Sequence, residues 1–493
     1  MTEIPHWLEK QFEIQPDAIA IETENGLSLT FAELRTQSRR IAAGLKSKGV
    51  YKGQHIAFLA GNHLHYVVLI HAVSYLGAVV ICLNTRLSPN ELAYQINDSD
   101  AALLVADNQF IELGEQSISK GEAEIPLISL ESIPKKEKTE DLVESLDLSK
   151  PFTMMYTSGT TGKPKAVIHT YGNHWFSAVA SALNLGLREN DKWLVCLPLF
   201  HVGGFSILMK NVIYGMPVVL MEKFSAEAVN HQITERKVSL VSLVTVMLQR
   251  LMDQRQKEVP GTFRGALLGG GPVPESLLRK ASQANVPVFQ TYGMTETSSQ
   301  ISTLRPIDAV RKLGSAGKAL SPASLKILSQ DKICSPYEIG EIQVKGPMVS
   351  SGYYNHAPHR EEYFSTGDLG YLDEEGYLYV VDRVTDMIIS GGENIYPAEI
   401  ESTLLEIEGV QEAAVTGVDH PEWGEVPAAF IVRNHNHKVT EEDIHAYCKD
   451  KLAGYKLPRS VYFIKEIPRN AANKMVRRNL QAAIQKEDID EYK

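Results

Sequence analysis

Cysteine is scarce: Cys82, Cys196, Cys334 and Cys448 are the four present, far apart in 493 residues and never as a C-x-x-C pair. This spacing indicates neither a disulfide framework nor a zinc cage, and it agrees with a reducing cytoplasm. Positive charge is also short. With 49 basic residues against 60 acidic ones the formal net charge is -11, which argues against nucleic acid or an anionic membrane as the main partner and leaves any basic site local. The N-terminus, Met1 to Glu9, lacks the basic start and apolar run of a signal peptide. Only residues 66–83 are apolar enough to raise a membrane question. His71, Ser74 and Tyr75 interrupt them and Gly77 divides them, so they predict a buried helix followed by a buried strand rather than a stable membrane insertion. Internal repeats and low-complexity tracts are absent.

What is present is an ordinary globular balance, 44% hydrophobic and 22% charged, over a length that suggests roughly two to four domains. Helical patterns (35–48, 66–74, 92–97) alternate with short β-branched runs (55–59, 78–83, 102–106), and a second such series runs from 193 to 290. Alternation on this scale implies βαβ crossovers and two doubly wound, largely parallel sheets. Between 313 and 382 the strands shorten and glycines multiply, the texture of a small antiparallel β-barrel. Residues 129–150 are charged and read as a surface excursion. The expected fold is therefore α/β: a large N-terminal domain, 1–382, and a small α+β C-terminal domain, 383–493, with Gly391 and Gly392 beside the junction.

One segment carries more chemistry than any other. Thr157, Ser158, Gly159, Thr160, Thr161, Gly162, Lys163, Pro164 and Lys165 place backbone N–H groups, hydroxyls and two ammonium groups where they can converge on a polyanion. The loop follows the strand-like run 152–156, at the sheet edge where α/β folds bind ligands. It is not a Walker A loop, because only two residues separate its glycines and Pro164 follows Lys163. Elsewhere, Thr295 and Glu296 follow the strand-like 287–291, where a carboxylate suits a hard cation such as magnesium. Gly269, Gly270 and Gly271 clear side chains from a place where a flat ring can lie. Asp368, in T-G-D, suits a ribose diol. Lys474 lies in a loop of small residues before a basic stretch, and His201 ends the run 197–201. Singly, each has an ordinary explanation: a flexible turn, a helix-start glutamate, a strand-to-helix turn, a turn aspartate, a solvated charged face, a core histidine.

Their joint order does not. A phosphate loop, a histidine turn, a glycine triplet, Y-G-x-T-E, T-G-D, D-R before a glycine pair, and a late lysine resemble the adenylate-forming superfamily along nearly the whole chain. That superfamily contains acyl-CoA synthetases, peptide-synthetase adenylation domains and luciferases. Residues 171–186, 290–300 and 390–399 most resemble the bacterial subfamily that joins 2-succinylbenzoate to coenzyme A in menaquinone biosynthesis. The resemblance implies that a carboxylate attacks the α-phosphate of MgATP to give an acyl-adenylate, after which the CoA thiol displaces AMP. It implies that the 157–165 loop holds the β and γ phosphates, that Glu296 and Thr160 hold Mg2+, and that Lys474 stabilises charge at the α-phosphate. Asp368 and Arg383 would grip the ribose, and Gly269 to Gly271 with Tyr292 and Gly293 would face the adenine. His201 would lie beside the acyl pocket, while Gly391 and Gly392 would line the pantetheine channel after a rotation of the C-terminal domain. Two positions depart from the usual pattern: Thr385 stands where the hinge residue is normally Asp or Lys, and Ala166 where many relatives have glycine.

A dianionic acid such as 2-succinylbenzoate keeps one carboxylate after the other is activated, so its pocket needs buried polar donors. Ser298, Ser299 and Gln300 are the candidates. Competing expectations are another aryl- or fatty acyl-CoA ligase and a nucleotide-binding sensor without catalysis. A peptide-synthetase adenylation domain is disfavoured, since no carrier domain follows Lys493 and no aspartate near position 200 can anchor an amino group.

Overall fold

The computed structural model describes residues 2–480 apart from 138–140, 159–162, 256, 271, 272, 274, 360, 384–387, 396, 435–438 and 469–479. Its large N-terminal domain is built on two mixed sheets. The first runs in the order Pro164–Thr170, Pro151–Ser158, Val79–Cys82, His55–Leu59, Leu103–Ala106, Leu127–Ser129, and only its first pair is antiparallel. In the second sheet, nine strands place Val288–Met294, Gly265–Leu268, Leu240–Leu243, Trp193–Val195 and Val218–Leu220 side by side in parallel. Ser299–Leu304 returns antiparallel to Val288–Met294. The β-branched runs became the parallel strands because both faces of such a sheet are covered, which rewards continuous apolar sequence.

Residues 66–83 form the tail of helix Leu64–Leu76 and the strand Val79–Cys82, divided by Gly77 at φ +63°. Every helical residue from Tyr66 to Leu76 is buried. An apolar helix of this length needs partners on all sides and is too short to span a bilayer. Its Tyr66 and Tyr75 join Phe31, Phe58, Trp193 and Phe205 in one core shared by both sheets. The segment 129–150 departs from the expected surface excursion. Leu130, Ile133 and Leu146 are buried, and Ser145–Asp147 pairs with Glu3–Pro5. Three apolar anchors were outweighed, in composition, by the charges around them.

A third sheet, of five antiparallel strands, occupies the region expected to form a barrel. Its order is Lys332–Ile333, Ser324–Ser329, Gly340–Lys345, Phe364–Leu372, Leu378–Arg383, an open path among the described residues. The smaller C-terminal domain pairs Val410–His420 with Gly424–Arg433, sets both Ile388–Ser390, followed by Glu393–Ile395, and Ser460–Phe463 against Gly424–Arg433, and covers the sheet with helices Pro397–Leu404 and Glu441–Lys451.

Candidate functional site

Parallel strands from both large sheets stop at one cavity of about 290 Å³, the crevice that α/β topology leaves beyond the carboxyl ends of strands. Cys82 and Thr157 reach it from the first sheet, Leu243 and Gly269 from the second, and Gly391 and Gly392 from the C-terminal domain. Of the residues singled out by sequence, Thr157, His201, Gly269, Gly270, Gly293, Thr295, Ser299, Gln300, Gly391 and Gly392 line this space. Gly159, Thr160, Thr161, Gly162, Gly271 and Lys474 lie outside the described residues, as does Thr385. Backbone alone places Ser158, at the end of strand Pro151–Ser158, and Arg383, opposite Asp368 in a ladder.

The nucleotide motifs converge through a few hydrogen bonds. The phosphate loop joins two antiparallel strands, Pro151–Ser158 and Pro164–Thr170. Lys163, just past its tip, is exposed. The ammonium of Lys165 sits 5.3 Å from the ring centre of Tyr353, whose hydroxyl donates to Glu296 Oε1 at 2.9 Å. One tyrosine thereby connects the loop to the buried carboxylate. Tyr292, behind the cavity wall, donates its hydroxyl to Asp368 Oδ2 at 2.7 Å, which brings Y-G-x-T-E and T-G-D together. Gly293 has a structural reason of its own: a Cβ there would come within 1.8 Å of the Ser299 carbonyl oxygen on the returning strand.

The acyl end differs from expectation. Ser298 is fully buried and donates its hydroxyl to the Met348 carbonyl at 2.8 Å, and it does not line the cavity. It lies in the turn before the strand Ser299–Leu304, where φ of 53° carries the chain out of the short Thr295–Thr297 helix. Gln300 does line the cavity and donates its amide to Thr303 at 3.0 Å. Behind it stands a residue that the sequence reading missed. Lys210, on helix Val202–Tyr214, is 1% exposed, with Nζ 3.4 Å from Gln300 Oε1 and 4.8 Å from the Trp193 ring centre. No carboxylate among the described residues pairs with it, and burial pushes its pKa down to about 7. A signal existed: Lys210 is the only charge between Phe205 and Ile213, in a run that otherwise reads as a buried helix. Cationic side chains are almost never buried without a partner, so such a lysine marks a place where an anion is expected.

The C-terminal domain closes the cavity with a buried ionic contact. Glu393 accepts from Arg86 and from His201 Nε2, the latter at 3.2 Å, both in the N-terminal domain. Burial raises the pKa of this carboxyl, but His201, Arg86 and Lys456 outweigh it and hold the group below its ordinary value. Lys456, 4% exposed, donates to Glu399 at 2.8 Å and, across the domain boundary, to Glu91 at 2.6 Å. Burial opposes its charge, yet Glu399 and Glu91 keep its pKa well above the usual ammonium value. Lys456→Met would leave two carboxylates facing each other in a dry contact, a cost of roughly 3–5 kcal/mol. The expected outcome is an opened domain interface, measured by small-angle scattering as a larger radius of gyration.

Comparison with known proteins places this geometry. Residues 8–354 match the family described as AMP-binding enzyme, and 399–474 match the AMP-binding enzyme C-terminal domain. A 2-succinylbenzoate--CoA ligase of Oceanobacillus iheyensis is 52% identical over 97% of this chain and 98% of its own. A double mutant of the o-succinylbenzoate CoA synthetase of Bacillus subtilis, bound with the product analogue OSB-NCoA, superposes with a TM-score of 0.92 at 44% identity, covering 97% of this chain and 98% of that one. The same synthetase in complex with the acyl-adenylate OSB-AMP has equal identity, 44%, over 98% and 99% of the two chains, but a TM-score of 0.76. The two chains are of one synthetase, differing by the double mutation, so the difference in TM-score lies in the arrangement of the chain. The arrangement described above is similar to the CoA-analogue complex.

Proposed function

The chain belongs to the AMP-binding enzyme family, and from that membership we propose that it joins 2-succinylbenzoate to coenzyme A at the expense of ATP, by way of an acyl-adenylate. The products are 2-succinylbenzoyl-CoA, AMP and pyrophosphate, a step of menaquinone biosynthesis. No described helix is long and apolar enough to cross a membrane, and we propose a cytoplasmic location. Full-length identity with named ligases supports the reaction. The observation that carries the choice of acid is the buried ammonium of Lys210 behind Gln300, without a carboxylate partner among the described residues, which matches the carboxylate that 2-succinylbenzoate retains on its ring.

In the first half-reaction an oxygen of the succinyl carboxylate attacks the α-phosphorus of ATP, and the bond to the β-phosphate breaks to release pyrophosphate. The 157–165 segment is the proposed holder of the departing phosphates, with Lys163 and Lys165 supplying positive charge. Asp368, oriented by Tyr292, would bind the ribose together with Arg383, while Gly269 and Gly270 leave a surface on which the adenine can lie. Magnesium, when bound, draws phosphate oxygens together and offsets their charge. Glu296, whose carboxylate is held by Tyr353, would offer such an ion a hard oxygen donor, with Thr160 as the second proposed holder. Lys474 is assigned to the α-phosphate, where its charge counts most in the transition state.

In the second half-reaction the CoA sulfur attacks the acyl carbonyl and AMP leaves. Gly391 and Gly392 line the proposed pantetheine path, and Glu393 fixes them against Arg86 and His201. Alternation between the two arrangements, pivoting near 382–383, lets Lys474 and the glycine pair serve in turn.

A panel of acids assayed for AMP release, with and without CoA, tests the assignment. 2-Succinylbenzoate is expected to exceed benzoate, coumarate and fatty acids in kcat/KM by at least about 10². A better benzoate or fatty acid would overturn the choice of substrate. A folded protein that releases no pyrophosphate with any acid would be a nucleotide-binding sensor.

A further inference from the structure

Three buried side chains link the strands flanking the phosphate loop to the turn that carries Glu296. Thr153 stands on the strand entering the loop and His169 directly opposite it on the strand leaving the loop. His174 follows on helix Tyr171–Leu185. All three are at most 1% exposed. His169 Nε2 lies 2.7 Å from the Thr295 carbonyl oxygen, His169 Nδ1 lies 3.1 Å from Thr153 Oγ1, and that oxygen lies 3.0 Å from His174 Nε2.

The chemistry of the acceptor fixes every proton in this row. A carbonyl oxygen only accepts, so His169 must carry its proton on Nε2, and its Nδ1 in the neutral ring is an acceptor. Thr153 therefore donates to Nδ1. Its oxygen then accepts from His174, which must be protonated on Nε2. The other nitrogen of His174, Nδ1, is buried with no hydrogen-bond partner, as a bare acceptor at the end of a directed chain would be. Burial keeps both rings neutral at pH 7, with the pKa of His169 pushed down to about 4 and that of His174 well below its ordinary value.

Other bonds tie the same pieces. The Ser350 N–H donates to the Glu296 carbonyl at 2.7 Å and its hydroxyl to the Ile168 carbonyl at 2.6 Å. Tyr353, which bridges to Val167, holds the Glu296 carboxylate. The strand leaving the loop is thus fastened to the Thr295–Glu296 turn from three directions, and the histidine row is the tie that also reaches the entering strand. We infer that His169 is a positioning residue for adenylation: relayed through Thr153 and His174, its bond to the Thr295 carbonyl holds Glu296 in register with the phosphate loop, so that both address one polyphosphate. This rests on the adenylation reading given above. The second half-reaction has already lost pyrophosphate and does not need that register.

The test separates the half-reactions in the full chain. Thr153→Val keeps shape and removes the relay proton. It is expected to lower kcat for acid-dependent pyrophosphate release about 10- to 100-fold, and to leave thioester formation from preformed acyl-adenylate and CoA within about twofold. Thr153→Ser should restore adenylation to within about threefold. Independently of activity, heteronuclear NMR of histidine-labelled protein should find His169 protonated on Nε2 in the wild type, and a changed Nδ1 shift in Thr153→Val. Equal losses in both half-reactions, no restoration by serine, or a proton on His169 Nδ1 would each overturn the inference. Failure of the wild type to release pyrophosphate would overturn the adenylation reading instead.

Discussion

Replacing Lys210 by methionine is expected to cut kcat/KM for 2-succinylbenzoate by about 10²- to 10³-fold, most of it as a raised KM, while the fold survives. The methionine fills the same volume and removes a buried charge that no carboxylate among the described residues offsets, so stability should hold or rise. What is lost is the partner of the ring carboxylate. In the variant that anion would enter an apolar cavity with only the Gln300 amide and nearby hydroxyls to meet it, and an unpaired buried carboxylate costs several kcal/mol. A second substrate isolates the interaction. Benzoylpropionate lacks the ring carboxylate, so the wild type should use it poorly and Lys210→Met should lose little with it. The double difference is the coupling between lysine and carboxylate. A pH profile gives an independent reading. Burial sets the Lys210 pKa at about 7 in the unliganded protein, and only the protonated form pairs with the anion. Above pH 7 binding must take up a proton, so kcat/KM should fall towards tenfold per pH unit. kcat should stay level to higher pH, because the bound carboxylate favours the charged lysine. In Lys210→Met the slope in kcat/KM should vanish. A variant with the same KM and the same slope would remove Lys210 from the acid site.

How far the sequence could lead follows from the range of the forces involved. The strands at 55–59 and 265–268 were legible because apolar continuity is a local signal with one stable outcome in a covered sheet. The nucleotide side was legible because its chemistry is concentrated in short motifs, and 157–165, 292–296 and 366–368 each contain their own reason. Tyr353 and the row Thr153, His169, His174 were not, since their meaning lies in contacts between residues at least 16 positions apart. Ser298, Ser299 and Gln300 show the difference within one tripeptide. The left-handed turn at Ser298 sends its hydroxyl to the Met348 carbonyl, whereas Ser299 and Gln300 line the cavity, and composition carries no information about that choice. Lys210 had a sequence signal in its apolar surroundings, but only the fold shows that its ammonium ends against a wall of the cavity.

Lys474→Gln and Gly392→Ala are expected to fail in opposite half-reactions, the first losing adenylation by about 10³ and the second losing thioester formation by about 10². The glutamine keeps a hydrogen-bond donor and removes the charge. Since negative charge grows on the α-phosphate oxygens only as the carboxylate attacks, the loss should appear in kcat and spare the affinity for ATP. Thioester formation from supplied acyl-adenylate should proceed at near the wild-type rate, because AMP departs without a new phosphorus bond. Gly392 presents the reverse case. It has φ of +87°, and a Cβ added there would stand 3.0 Å from Val244 Cγ2, across the domain boundary on the cavity wall. Alanine must therefore strain the backbone and push the glycine pair away from the proposed pantetheine path, a displacement felt only in the arrangement with the C-terminal domain closed over the cavity as described. If Lys474 is presented in a second arrangement, as proposed, the same methyl group is expected to leave Val244 and adenylation should continue. Pyrophosphate release without CoA and CoA consumption from supplied acyl-adenylate measure the two rates separately. Two variants that each slow both steps alike would mean that a single arrangement serves both reactions. A crossed pattern is the outcome expected of two arrangements in which Lys474 and the glycine pair serve in turn.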